Sequence, residues 1–307
     1  MAQVRAAWIK RLLVRWLLAG ALLPLTVPVV AATPTPRWVS AGGALSEWVV
    51  ALGGSERLVA VDSTSRHLAQ LQGLPVIGYQ RQLPAEGILA LKPDLLIGTE
   101  EMGPLPVLEQ LRAAGVQIEV LPATAELAVL ESNLQRLGEL LGQPQRGLQA
   151  AQAFRQRVQQ QQAWIATAGQ QQAAPGVLLL LGHAGASPLA AGQGTLGDWL
   201  ISQAGGRNLV DHQSYKALSV ESLLALDPDV LLVTDRSLQG EAARAALLQQ
   251  NPALAGTRAM REGRVLLIDP TLLTGGLGPR LPDQLAVLAA AFYPASPPTV
   301  AEASNLP

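Results

Sequence analysis

Two hydrophobic patterns alternate along most of the chain. Short unbroken apolar runs at Leu95–Ile97, Leu178–Leu181 and Val230–Val233 suit strands buried on both faces. Val116 to Val120 and Arg264 to Ile268 supply further strands. Between the runs lie segments whose apolar residues recur at helical spacing. Ser46 opens one that carries Trp48, Val49 and Leu52 and stops at Gly53-Gly54. Asp198 opens another with Trp199 and Leu200, stopped by Gly205-Gly206. Glu86 to Leu91 and Glu221 to Leu226 fit short helices ended by Pro93 and Pro228. Strands alternating with helices predict an α/β chain with a mainly parallel sheet in each half.

The two halves are copies of one pattern. Residues 83–97 align with residues 218–232 at an offset of 135, matching Glu86 with Glu221, Pro93 with Pro228 and Asp94 with Asp229. An earlier pair, residues 45–59 and 196–210, aligns at an offset of 151, so the first half holds 16 extra residues between its blocks. That excess falls between Val61 and Leu83. Between the halves, Leu148 to Ala168 runs 21 residues without Gly or Pro, with Ala151, Phe154, Val158 and Ile165 on one stripe. As a helix it is ~31 Å long, about the width of a small domain. A flexible tether would be rich in Gly and Ser, so this segment reads as a stiff strut. The expected organisation is a first α/β lobe over 33–143, a connecting helix over 144–172 and a second α/β lobe over 173–307. Twin lobes on a stiff helix leave one cleft, and open sheets present ligands at the edges facing it.

Composition narrows the function. Among 307 residues, 22 Lys and Arg stand against 23 Asp and Glu, so no basic field exists to hold nucleic acid. The absence of cysteine excludes disulfides, thiolate metal sites and thiol catalysis. At the start, Arg5, Lys10, Arg11 and Arg15 precede a 17-residue apolar stretch, Trp16 to Ala32, ending in small residues. This is the pattern of a cleaved secretory signal over 1–32. The rival, an uncleaved anchor, has a run shorter than a ~20-residue span and broken by Pro24 and Pro28. Cleavage after Ala32 leaves 275 residues with 18 basic and 23 acidic groups, a mildly acidic exported protein expected in the periplasm.

Few residues offer chemistry. Tyr79, one of three tyrosines, stands in Gly78-Tyr79-Gln80-Arg81 after a turn marked by Pro75 and Gly78. It reads either as an ordinary amphipathic surface tyrosine or as a phenolate ligand for ferric iron, a ligand type known for haem. In an extended loop Arg81 points the same way as Tyr79, and its charge would favour the phenolate. His183, after the Leu178–Leu181 strand, is either a structural histidine or a ligand at the cleft. Three scattered histidines argue against a metal site built from protein alone. Gly192-Gln-Gly194-Thr-Leu-Gly197 matches a dinucleotide fingerprint in letters only, because it lies about ten residues beyond the strand. No acid–base cluster is visible for an enzyme. Glu86 and Glu221 read as helix-start carboxylates, as a symmetric pair for docking a two-fold partner, or as both.

The segment from Gly78 to Asp94 resembles the haem-ligand segment of periplasmic haemin-binding proteins, the substrate-binding subunits of bacterial haem ABC importers. Val61 to Ser65, Gly182 to Gly185, Ala191 to Gly194, Tyr215 to Ser219 and Leu277 to Arg280 support the likeness, over about residues 37–290. The Glu-helix-Pro-Asp blocks are shared with siderophore and cobalamin binders of the same fold, which makes such a binder the alternative. The resemblance implies two Rossmann-like lobes joined by a single long helix, the class III, helical-backbone type of periplasmic binding protein. It implies haem as the transported ligand, Tyr79 on the iron and Arg81 on the tyrosine oxygen. It further implies His183 near the iron or a second haem, and Arg236 on the opposite wall. Glu86 and Glu221 then dock onto the permease dimer, which works with its ATPase. One departure is Pro84, where a small serine is common; it is expected to alter the helix start and leave the ligand alone.

Overall fold

The computed structural model describes residues 35–181, 188–234 and 252–296, with Ala245, Leu248 and Gln249. The first lobe runs β1 (Trp38–Ala41), α1 (Gly43–Ala51), β2 (Leu58–Val61), α2 (Ala85–Ala90), β3 (Leu95–Gly98), α3 (Leu105–Ala113) and β4 (Gln117–Val120). Its four strands are all parallel, in the order β2-β1-β3-β4. Every residue of β1 and β3 is buried, as expected of central parallel strands covered on both faces.

Two helices, α4 (Leu127–Leu141) and α5 (Pro144–Ala168), lead to the second lobe. That lobe runs β5 (Gly176–Leu181), β6 (Leu189–Ala191), α6 (Leu196–Gln203), β7 (Arg207–Asn208), β8 (Tyr215–Ala217), α7 (Val220–Leu226), β9 (Val230–Thr234), α8 (Arg258–Arg261), β10 (Val265–Ile268) and α9 (Leu281–Phe292). The repeat is realised in space. Strands β7-β5-β9-β10 are parallel and reproduce the first lobe's order. The second sheet is mainly parallel as expected, but two antiparallel pairings make it mixed. One edge of β5 is shared, with β7 pairing Gly176 and Val177 and antiparallel β6 pairing Leu180 and Leu181; β8 then extends β6.

Helix boundaries moved where caps differ from the expected ones. Helix α1 begins at Gly43, not Ser46, and α6 begins after Thr195, whose hydroxyl accepts from the Asp198 amide. Both end at the expected glycines, with Gly53 and Gly205 at φ of 80° and 81°. The strut begins at 144 as expected, where Pro144 sits in its first turn and no amide donor is needed, and it ends at Ala168, short of the expected 172. At 25 residues α5 spans ~37 Å. Pro84 does not shift its helix: α2 and α7 start 135 residues apart, but Ser219 caps α7 and α2 has no side-chain cap.

One core runs under both lobes. It joins Trp48, Leu134, Phe154, Val177, Leu200 and Phe292 along α5, while the outer faces of the two sheets hold separate clusters. The lobes are also stitched directly. The Trp48 indole donates to the Leu277 carbonyl at 2.7 Å, and Arg280, which also binds Asp269 of its own lobe at 3.0 Å, reaches Glu47 at 2.6 Å. Among the described residues, no helix is long and apolar enough to cross a membrane.

Candidate ligand-binding cleft

The loop that carries Tyr79 is built by backbone hydrogen bonds around one glycine. Gly78 has φ of 89°, a conformation that disfavours any side chain, and its carbonyl accepts from the Ser63 amide at 2.7 Å. The Gln82 amide then donates to the Tyr79 carbonyl at 2.8 Å and closes a tight turn. The chain is therefore turned over 79–82, not extended as the sequence suggested. Gly103 braces it from below, donating to the Gln80 carbonyl at 3.0 Å and accepting from the Leu83 amide at 2.8 Å. The turn leaves Tyr79 41% exposed, a large value for an aromatic side chain held on ordered backbone.

Tyr79 stands in a cleft of about 830 Å³, well inside the ~300–1,000 Å³ of small-molecule sites. The cleft opens at the carboxyl ends of the parallel strands, where open α/β sheets gather ligands. Glu100 and Glu101 follow β3 into it, and Leu181 ends β5 at it. Its walls combine Leu181, Leu189, Leu196 and Leu273 with the uncharged polar groups of Gln193, Thr195, Gln213 and Ser214. That mixture suits a large flat apolar ligand with polar edges. The Gly192–Gly197 stretch forms part of this wall and leads into α6; Gly192 is packed against the His212 carbonyl.

Arg81 lines the cleft, and its guanidinium is paired with the Glu101 carboxylate. The neighbouring Gln80 is wholly buried and donates its amide to the other Glu101 oxygen at 2.8 Å. The positive charge of Arg81 is thus compensated by a partner that the sequence did not reveal. Across the gap, Tyr215 lies partly buried. Desolvation pushes its phenol above the ordinary tyrosine value, against hydrogen bonds from the Thr195 side chain and the Gly197 backbone. Glu101 and Tyr215 are the cleft residues that sequence reasoning missed. A signal existed for each, since Glu100-Glu101 directly follows a buried strand and Tyr215 is one of three tyrosines.

Glu86 and Glu221 lie away from the cleft, each exposed and each the second residue of its short helix. The Glu221 carboxyl is held below the ordinary carboxylate range by its own backbone amide and by the Ser219 hydroxyl. His183 and Arg236 lie outside the described residues. His67 is bound at 2.6 Å to buried Glu47, a structural role at the lobe junction.

Fold and cleft together define a two-lobed solute-binding protein, and the chain belongs to the periplasmic binding protein family, which it matches over residues 39–272. It is 62% identical to a periplasmic heme-binding protein from Pseudomonas aeruginosa, whose structure superposes with a TM-score of 0.83 over 85% of this chain and 94% of that one. A periplasmic heme-binding protein from Roseiflexus sp. RS-1 is 37% identical, with a TM-score of 0.75 over 85% of this chain and 99% of that one. A vitamin B12-binding protein of Yersinia pestis is 28% identical over 235 residues, which are 76% of this chain and 81% of that protein.

Proposed function

We propose that the protein captures haem in the periplasm and delivers it to an ABC permease for import. The observation that carries this reading is Tyr79 itself, a phenol displayed at a mixed apolar and polar cleft by a turn braced with backbone hydrogen bonds. The Gly78-to-Asp94 resemblance and the 62% identity to a heme-binding protein support it. The ligand enters edge-on and its apolar faces are desolvated against the leucines of the second lobe. The Tyr79 oxygen, as phenolate, supplies the anionic donor that ferric iron favours, and Arg81 stands two residues away beside it. No bond of the ligand is made or broken by the protein; Tyr79 and its neighbours bind and orient. His183 and Arg236 are proposed to contribute from the second lobe. Glu86 and Glu221, one per lobe at equivalent places, are proposed to meet basic residues of the permease dimer, which pulls the lobes apart with its ATPase.

A cobalamin or siderophore binder is the second reading, favoured by the B12-binding relatives from Yersinia. Absorption titrations with haemin, cobalamin and a ferric siderophore separate the two. Haemin alone is expected to bind stoichiometrically and give a phenolate-to-iron charge-transfer band. Tyr79→Phe is expected to lose that band and at least tenfold in affinity, about 1.4 kcal/mol. A colourless wild-type protein in excess haemin sinks the assignment.

A further inference from the structure

We propose that Glu101 is the positioning residue of the ligand loop: its carboxylate clamps Gln80 and Arg81 and thereby fixes the turn that presents Tyr79. The consequence for binding rests on the reading of Tyr79 as the haem ligand; the clamp itself does not.

The geometry is specific. The two carboxylate oxygens of Glu101 are divided between consecutive loop residues, one taking the Gln80 amide at 2.8 Å and the other the Arg81 guanidinium. Glu101 is itself held, because its backbone amide donates to the Thr99 hydroxyl at the end of β3. Two residues on, Gly103 makes the two backbone bonds that brace the same turn. The segments 78–83 and 99–103 are therefore joined by four bonds, two of them through one side chain. Glu100 is no substitute, since its carboxylate is spent on the Ala123 amide at 2.9 Å.

A surface ion pair between Arg81 and Glu101 would be worth little by itself, because 56% of the Arg81 side chain is exposed. Gln80 changes that judgement. It is fully buried, and its other amide atom, Oε1, has no partner, so the contact with Glu101 is what sets its orientation. Tyr79 lies one residue before that anchor and Arg81 one after. Among the described residues that line the cleft, Arg81 is the sole cation, and Glu101 decides where it points. Glu101 itself lines the cleft, so the clamp stands at the cleft and not behind it.

The test has two arms. Amide hydrogen exchange on the ligand-free protein compares wild type, Glu101→Ala and Glu101→Gln. Glu101→Ala is expected to speed exchange at Gln82, Leu83 and Gly103 at least tenfold while β3 and α5 stay unchanged. Haemin titration is expected to show a tenfold weaker Glu101→Ala with a shifted charge-transfer band. The Arg81→Ala/Glu101→Ala double variant should bind within about twofold of Arg81→Ala alone, since the residues act through one another. Glu101→Gln keeps an acceptor for Gln80 but no charge for Arg81, so a severalfold loss is expected; it carries the test should Glu101→Ala not fold. Unchanged exchange in both variants, or wild-type affinity with an unshifted band, overturns the proposal. If wild type itself refuses haemin but takes cobalamin, the haem reading falls, and the exchange arm still judges the clamp.

Discussion

Tyr215 and Tyr79 occupy opposite walls of one cleft, and their surroundings suit them to opposite tasks. Burial pushes the Tyr215 phenol up and favours its neutral form, whereas Tyr79 projects from its turn with 41% of its surface open. On the reading of Tyr79 as the ligand, removing the Tyr215 hydroxyl takes no donor from the iron. Tyr215→Phe is therefore expected to keep the charge-transfer band of the haemin complex and a urea midpoint close to that of the wild type. A vanished band would transfer the ligand role to Tyr215. At this scale the sequence was informative where a residue is rare and sits in a local motif, as Tyr79 does. It was silent about Glu101, whose pairing spans 20 residues and depends on two turns meeting in space.

Helices α4 and α5 cross in close contact. Gly147 of α5 lies so near α4 that a Cβ there would stand 2.2 Å from the Leu134 carbonyl oxygen, and Gly138 of α4 faces the same crossing. Gly147→Ala must push the helices apart and is expected to cost about 1–3 kcal/mol, read from the urea midpoint with an unchanged slope. The sequence reading passed over this pair. It placed the connecting helix over 144–172 but read its helical character only from Leu148, after the last glycine, and here Gly147 is required by contact. Helix α4 had its own signal in buried Leu130, Leu134, Leu137 and Leu141, a helical stripe. The internal repeat, by contrast, disclosed the βα units of both lobes, since like segments fold alike. It could not disclose β6 and β8, which lie outside the aligned blocks and turn the second sheet mixed. Caps show the same limit. Ser219 holds the Ser222 amide at 3.1 Å, so Ser219→Ala is expected to cost ~1 kcal/mol, and Pro84 at the equivalent place has no such bond to lose.

On the scale of the molecule, the continuous core along α5 and the junction around Glu47 describe lobes that are braced, not freely hinged. Glu47 is 5% exposed and depends on Arg280 and His67 for compensation. Arg280→Met leaves that carboxylate without its cation and is expected to destabilise the protein by about 3 kcal/mol, measured by thermal unfolding. Asp269 shares the junction: burial pushes its carboxyl up, but the Thr271 amide and hydroxyl and the Arg280 guanidinium outweigh burial and hold it below the ordinary value. Its contribution is thus present above the unfolded carboxylate value of about 4 and is lost as pH falls through the lower folded value. Asp269→Asn should lower stability at neutral pH and converge with the wild type at low pH, which flattens the acid limb of the stability curve. Braced lobes also constrain delivery. A binder that does not open spontaneously must be opened by its partner, and the force needs a grip on each lobe. Glu86 and Glu221 are suited to that grip, exposed at matching places of repeated helices, with Glu221 held in its charged form by its own helix start. Glu86→Ala with Glu221→Ala is expected to leave haemin affinity within about twofold, since neither lines the cleft, while abolishing stimulation of the reconstituted transporter's ATPase. Each single variant should retain part of that stimulation, because a two-fold partner offers two contacts and loses them one at a time. Full stimulation by the double variant would move the grip elsewhere on the lobes.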